Sequence, residues 1–238
     1  MEENMFRNRR AAAIATSAAM VFAGMSMTAL ETGVASADST CALSSHATKN
    51  DISTVGITMT YDKSANLDSI GVGTTVTYKV VVGTTGIGNP YVNTITDYPP
   101  SGFGTPVKAS ITAYHLAGGQ RTEDVTPEPN GGGWKVTSTG WFVNSGNPVT
   151  LDITYPVPTN LSPGQQVTSG GIGVAGTVGV SNELPNLTAC FTARANTVGE
   201  SALGSLNNNG LGSADGQLSS TGSLSTILSD AIRKYIGS

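Results

Sequence analysis

Two cysteines, two histidines and two tryptophans are the residues whose chemistry most needs explaining in this 238-residue chain. Cys41 and Cys190 stand near the two ends of a β-rich region. No C-x-x-C occurs and the spacing suits no metal motif, so the pair reads as a disulfide of an exported protein. Neither a metal nor a cofactor is implied. His115 could serve a Ser-His-Asp site with Asp97 or Asp152, but nothing in the spacing points to one. His46 has no catalytic context. No G-x-S-x-G is present; Gly199-Glu200-Ser201-Ala202-Leu203 misses the final glycine. There is no H-E-x-x-H, and Glu123, Asp124 and Glu128 read as a solvated acidic loop rather than a calcium site. The chain is therefore expected not to be an enzyme, with an unrecognised hydrolase as the weakest alternative. Trp134 and Trp141, with Tyr114 nearby, could form an aromatic platform for a sugar; the competing role for both tryptophans is the core. Lys79, the one lysine within the best strand, could be crosslinked to a partner such as Asp97 or Asp152, but strand alternation turns it towards solvent, opposite Tyr78 and Val80.

These residues need strands to hold them. Val76, Tyr78, Val80 and Val82 alternate with Thr77 and Lys79, the period of two that marks a half-buried strand. Gly83, Gly86, Gly88 and Pro90 break the chain, and Tyr91–Asp97 resumes extended before Pro99-Pro100 stops it. Together the two segments are one hairpin or one crossover pair. Ile57, Met59 and Tyr61 give an earlier strand, after a polar lead-in over residues 38–54 and before a loop over residues 62–69. Val107–Ala113 and Val149–Tyr155 alternate cleanly. Residues 118–133 read as a loop. Trp134–Thr137 and Trp141–Val143 read as two short strands around a Ser-Thr-Gly turn. Residues 165–180 are extended and glycine-rich, and Leu187–Ala193, which carries Cys190, is the expected last strand. Eight or nine short strands separated by turn signals make a sandwich pattern.

The formal net charge is −4 and charged residues are 12% of the chain. No basic run occurs, which excludes nucleic acid as an expected partner. Arg7, Arg9 and Arg10, an uncharged run from Ala11 to Leu30 and the Ala35-Ser36-Ala37 site read as a signal peptide over residues 1–37. After cleavage no membrane span is expected, and the protein is secreted or associated with the cell envelope. The presequence and the sparse charge resemble those of actinobacterial secreted proteins.

Gly73-Thr74-Thr75-Val76-Thr77-Tyr78, then Val80-Val81-Val82, then Thr94-Ile95-Thr96-Asp97-Tyr98-Pro99 resemble the DUF11-type repeat of bacterial surface proteins. That family opens on a G-x-x-V-T-Y strand, turns through an Asn-x-Gly and closes on a strand ending in Asp and a proline stop. Gly83-Thr84-Thr85-Gly86 replaces the Asn-x-Gly here, and the match covers residues 70–103. The resemblance implies an immunoglobulin-like sandwich outside the cell, acting as a structural or interaction module without catalytic residues.

Residues 38–200 thus form the expected all-β, immunoglobulin-like β-sandwich. Residues 201–222, rich in Gly, Ser and Asn, form a flexible linker. Residues 223–238 end the chain on a short amphipathic helix, with Leu224, Ile227, Leu228, Ile232 and Tyr235 on one face for a partner. The expected function is a non-catalytic structural or interaction protein. The alternative is an envelope-glycan-binding module, with contact through the loops or the terminal helix.

Overall fold

A computed structural model describes residues 41–50, 57–85, 89–177 and 180–201. The expected leader, nearly all of the linker and the helix bearing Leu224, Ile227, Leu228, Ile232 and Tyr235 lie outside the described residues. Fourteen strands are described: β1 (Ser44–Asn50), β2 (Thr58–Ala65), β3 (Ser69–Gly71), β4 (Thr75–Thr84), β5 (Tyr91–Asp97), β6 (Lys108–His115) and β7 (Gly119–Asp124), followed by β8 (Glu128–Asn130), β9 (Gly133–Phe142), β10 (Val149–Pro156), β11 (Gln166–Thr168), β12 (Ile172–Gly176), β13 (Asn182–Leu184) and β14 (Cys190–Arg194).

The main sheet runs β1-β2-β4-β10-β6-β9-β5-β12-β13, with β7 on β6 and β8 on β9, and a second sheet runs β11-β14-β3. Every pairing in the main sheet is antiparallel, whereas β14 and β3 are parallel. The fold is an all-β sandwich whose main sheet curls. β2 and β5 are far apart along the sheet, yet Lys63 of β2 meets Asp97 of β5 across the interior. Alternation explains which side chains point inward: Val76, Tyr78, Val80 and Val82 on β4 and Val149, Leu151, Ile153 and Tyr155 on β10 are all fully buried. The segment from Val76 to Asp97 is a crossover and not a hairpin, because β10, β6 and β9 lie between β4 and β5.

Four expectations about the strands are corrected. The polar lead-in contains β1, paired with β2 from Ser44↔Ser64 to Asn50↔Thr58. The presumed loop after Tyr61 begins as strand, since β2 continues to Ala65. The presumed loop over residues 118–133 holds β7 and β8, which are exposed and polar and therefore show no apolar period. Trp134 and Trp141 lie on the single strand β9, which carries a bulge. There the register passes from Thr94↔Thr137 to Val92↔Trp141, so Ser138, Thr139 and Gly140 oppose Asn93. The bulge reverses the strand's parity. Trp134 and Val136 face inward on one side of it, and Trp141 faces inward on the other. Gly140 has φ 143°, and a Cβ there would lie 3.0 Å from the Tyr91 ring, so the turn needs glycine.

Cys41 and Cys190 form the expected disulfide, with Cα atoms 5.0 Å apart and a sequence separation of 149. The backbone supports it: Cys190 N–H donates to Ala42 C=O at 2.8 Å, and Ala65 N–H donates to Leu43 C=O at 3.0 Å. The bond ties the start of the described chain to β14. Among the described residues no helix is long and apolar enough to cross a membrane.

Beyond β14 a helical turn covers residues 198–201. Thr197 and Glu200 form a capping box: Thr197 N–H donates to the Glu200 carboxylate at 2.8 Å, and Glu200 N–H donates to Thr197 Oγ1 at 3.3 Å. Arg194 grips the same carboxylate with two bonds of 2.6 Å. The Arg194 guanidinium, helped by Thr197, holds the Glu200 carboxyl down at about 2, from an ordinary 4.5. A depressed carboxyl stabilises the folded form above its unfolded value and loses that contribution as pH falls through the folded one. The turn is therefore expected to loosen between about pH 4.5 and pH 2 in wild type. In Glu200→Gln that acid transition is expected to be missing. NMR of the residue 194–201 amides across this range measures both.

Candidate functional site

The most unusual group in the protein is a lysine with no access to solvent. Lys63 follows Met59 and Tyr61 in the inward register of β2 and precedes Ala65; all four side chains are buried. Its ammonium lies among three backbone carbonyls. Nζ donates to Gly170 C=O at 2.8 Å, to Tyr98 C=O at 3.1 Å and to Gly171 C=O at 3.1 Å. It also sits 5.1 Å from the centre of the Tyr78 ring, a cation–π distance. Glycine is required for this cradle: a Cβ on Gly171 would strike the backbone of Leu184 and Pro185, and one on Gly170 would lie 2.7 Å from the Tyr98 Cβ.

Asp97, the last residue of β5, brings the opposite charge. Its Oδ1 is 2.8 Å from Lys63 Nζ, and both side chains are fully buried. At that distance the two charges are in direct contact, and hydrogen bonding to Asp97 favours the ammonium. Oδ2 accepts a 2.7 Å bond from the Tyr155 hydroxyl. Tyr155 in turn packs against Tyr78, with centroids 6.1 Å apart, and the Tyr78 hydroxyl is buried without a hydrogen-bond partner among the described residues. Burial pushes the Lys63 ammonium below its ordinary range, and Asp97 opposes that shift. Burial and the nearby Asp97 push both Tyr78 and Tyr155 far up, so both phenols stay protonated.

The arrangement spans β2, β4, β5 and β10 and the turn before β12, so it joins opposite walls of the sandwich. Sequence reasoning missed Lys63 because Asp62-Lys63-Ser64 has the composition of a loop. The available signal was register: Met59, Tyr61, Lys63 and Ala65 keep the period of two through the lysine. Asp97 was visible as the end of the second strand of the surface-protein resemblance, without a partner assigned.

The sequence-predicted residues are placed elsewhere. Lys79 is half exposed on β4 and faces Asp152 at 3.7 Å across β10. His46 pairs with Asp62 at 2.6 Å on the surface of β1 and β2. His115 lies 4.0 Å from Glu123, while Asp97 is engaged by Lys63 and Tyr155, so His115, Asp97 and Asp152 do not assemble. Glu128 approaches Lys135 at 3.7 Å, and among the described residues no group of three or more His, Cys, Asp or Glu could hold a metal ion. Trp141 is 4% exposed and Trp134 packs partly buried against the core, so neither presents a free ring face as a platform. Tyr114 does reach a surface aromatic row. Tyr91, Phe142 and Tyr114 sit side by side on β5, β9 and β6, with ring centroids 5.3 Å and 6.0 Å apart.

No family model matches the chain, and no curated protein matches it in sequence. Among solved structures, a protein described as membrane anchored from Corynebacterium diphtheriae aligns at 13% identity over 64% of this chain and 36% of its own, with a TM-score of 0.36. The sporulation control protein Spo0M from Bacillus subtilis aligns at 13% identity over 59% of this chain and 50% of its own, with a TM-score of 0.31. The RrgA Jo.In complex aligns at 13% identity over 56% of this chain and 76% of that one, with a TM-score of 0.34. The chain spans half the length of Spo0M and about a third of the Corynebacterium protein. Likeness at this level carries no conclusion about what the chain does.

Proposed function

We propose that this chain is an exported, non-catalytic structural or interaction module of the cell envelope or its surroundings. The observation that carries the reading is the Cys41–Cys190 disulfide, which binds the first described segment to the last strand. Such a bond persists in oxidising compartments and is rare in the cytosol. The interior fits a scaffold: its charged pair is sealed from solvent and from any substrate. The DUF11-type resemblance over residues 70–103 points the same way. Fractionation of producing cells tests it. The protein is expected in the medium, wall or outer membrane fraction, with its first residue near Asp38. Full-length protein with residues 1–37 intact in the cytosol would overturn the reading.

The surface aromatic row favours a second reading, a glycan contact. Tyr91, Phe142 and Tyr114 offer apolar ring surface beside polar neighbours such as Asn93. If the row holds envelope glycan, Tyr114→Ala is expected to lower retention on that glycan by about tenfold, the cost of a modest hot spot. Trp141→Ala would instead act through folding. Equal retention of wild type and Tyr114→Ala in a pull-down would remove this reading.

A further inference from the structure

We propose that β7 is the seam of a homodimer, in which a second copy of this chain pairs with the first edge to edge through that strand, about a two-fold axis. β7 is the open end of its sheet. Thr112 of β6 pairs with Thr150 of β10 and with Thr122 of β7, so β10 fills one side of β6 and β7 the other. Among the described residues no strand pairs with the far side of β7, and every residue from Gln120 to Asp124 is exposed. The ladder with β6 fixes which backbone groups are free. Val125 N–H donates to Ala109 C=O at 3.0 Å, in the register that sets Ile111 against Glu123 and Ala113 against Arg121. Hydrogen-bonded and non-hydrogen-bonded pairs alternate along an antiparallel ladder. Glu123 and Arg121 therefore spend their N–H and C=O groups on β6, while Gln120, Thr122 and Asp124 turn theirs outward. An open row of this kind is a template for another strand.

The side chains select the strand and its register. With the two-fold axis at Arg121, two arginines oppose each other; with the axis at Glu123, two glutamates do. With the axis at Thr122, Arg121 lies opposite Glu123 of the second copy, and symmetry repeats the pair. The outward backbone groups match in that register too. Thr122 meets Thr122 and Gln120 meets Asp124, each pair exchanging both N–H···O bonds. The Arg121–Glu123 pairs are then the non-hydrogen-bonded ones, in which side chains stand closer together. Neither charge is strongly engaged within one copy: Arg121 Nε donates to Gly118 C=O of its own turn at 3.4 Å, and Glu123 stands 4.0 Å from His115. Charged residues ordinarily blunt an edge against chance pairing. Opposite signs at alternate positions block the neighbouring registers and admit this one. Antiparallel pairing also sets the β6–β7 turn of one copy, where Leu116 is exposed, beside the end of the other hairpin, where Val107 is exposed.

The seam is short, so the dimer is a reversible one. It goes beyond the envelope reading and stands apart from it, because strand pairing needs only the folded chain. The test is sedimentation equilibrium of the purified full chain as exported. Wild type is expected to dimerise with a Kd below about 1 mM. Arg121→Glu alone and Glu123→Arg alone each set like charges opposite one another, and each is expected to weaken the dimer at least about tenfold. An equimolar mixture of the two variants restores both attractive pairs and is expected to recover wild-type association as a heterodimer. Wild type that stays monomeric would overturn the proposal. So would a dimer that survives Arg121→Glu unchanged, or a mixture that associates no more tightly than either variant alone.

Discussion

Asp97→Ala is expected to lower the unfolding free energy by at least about 3–5 kcal/mol, the cost of stranding a buried charge. Most domains hold only about 5–15 kcal/mol in total. The variant leaves Lys63 with three carbonyls and no counter-charge, and it strips the Tyr155 hydroxyl of its acceptor. Urea denaturation measures this as a lower midpoint at an unchanged slope. The pH dependence carries a sign. Burial lowers the Lys63 ammonium from its ordinary 10.5, and Asp97 is what opposes that shift, so removing Asp97 lowers it further. The unfolded chain then holds that proton more tightly than the folded one. The stability of the variant should therefore rise with pH up to about 10.5. A triple variant, Lys63→Met with Asp97→Leu and Tyr155→Phe, removes both charges and the orphaned hydroxyl, and it is expected to recover most of the loss. A midpoint for Asp97→Ala equal to that of wild type would show that the pair does not support the core.

The second large effect is loss of the disulfide. A closed loop with a separation of 149 residues restricts the unfolded chain strongly. The loop-entropy relation gives about 4–5 kcal/mol, and native bonds of this kind are worth about 2–5 kcal/mol in practice. Cys41→Ser with Cys190→Ser should shift the urea midpoint downward by that amount. Reduction of wild type should match the double variant. The loss should be felt first where residues 41–43 lie along β14 and β2. If reduction leaves the midpoint unchanged, the disulfide is incidental.

The parts of this fold that could be read in the sequence are those where alternation and burial coincide. β4 and β10 show a clean period of two and are the strands whose inner faces are fully buried. Strands with polar outer faces gave no such signal. β7 and β8 are exposed on both sides and look like loop, and β1 is a polar edge. The bulge at Gly140 could not be anticipated from periodicity, because it is the bulge that lets two tryptophans seven positions apart both face inward. The capping box at Thr197 and Glu200 is legible as T-x-x-E, but it sits where the composition changes from strand to linker and no apolar run follows it. The buried lysine is the most instructive case. Charge suggested solvent, and register indicated the interior. Register decided the outcome because a carboxylate, a phenol and three carbonyls meet the amine there.

The redox state of the two cysteines in the producing cell tests the exported, clamped module most directly. Cells are lysed into an excess of alkylating reagent and the protein mass is read with and without prior reduction. The expected result is a protein recovered outside the cytoplasm that takes up label at Cys41 and Cys190 after reduction alone. A cytoplasmic protein labelled at both cysteines without reduction would contradict it.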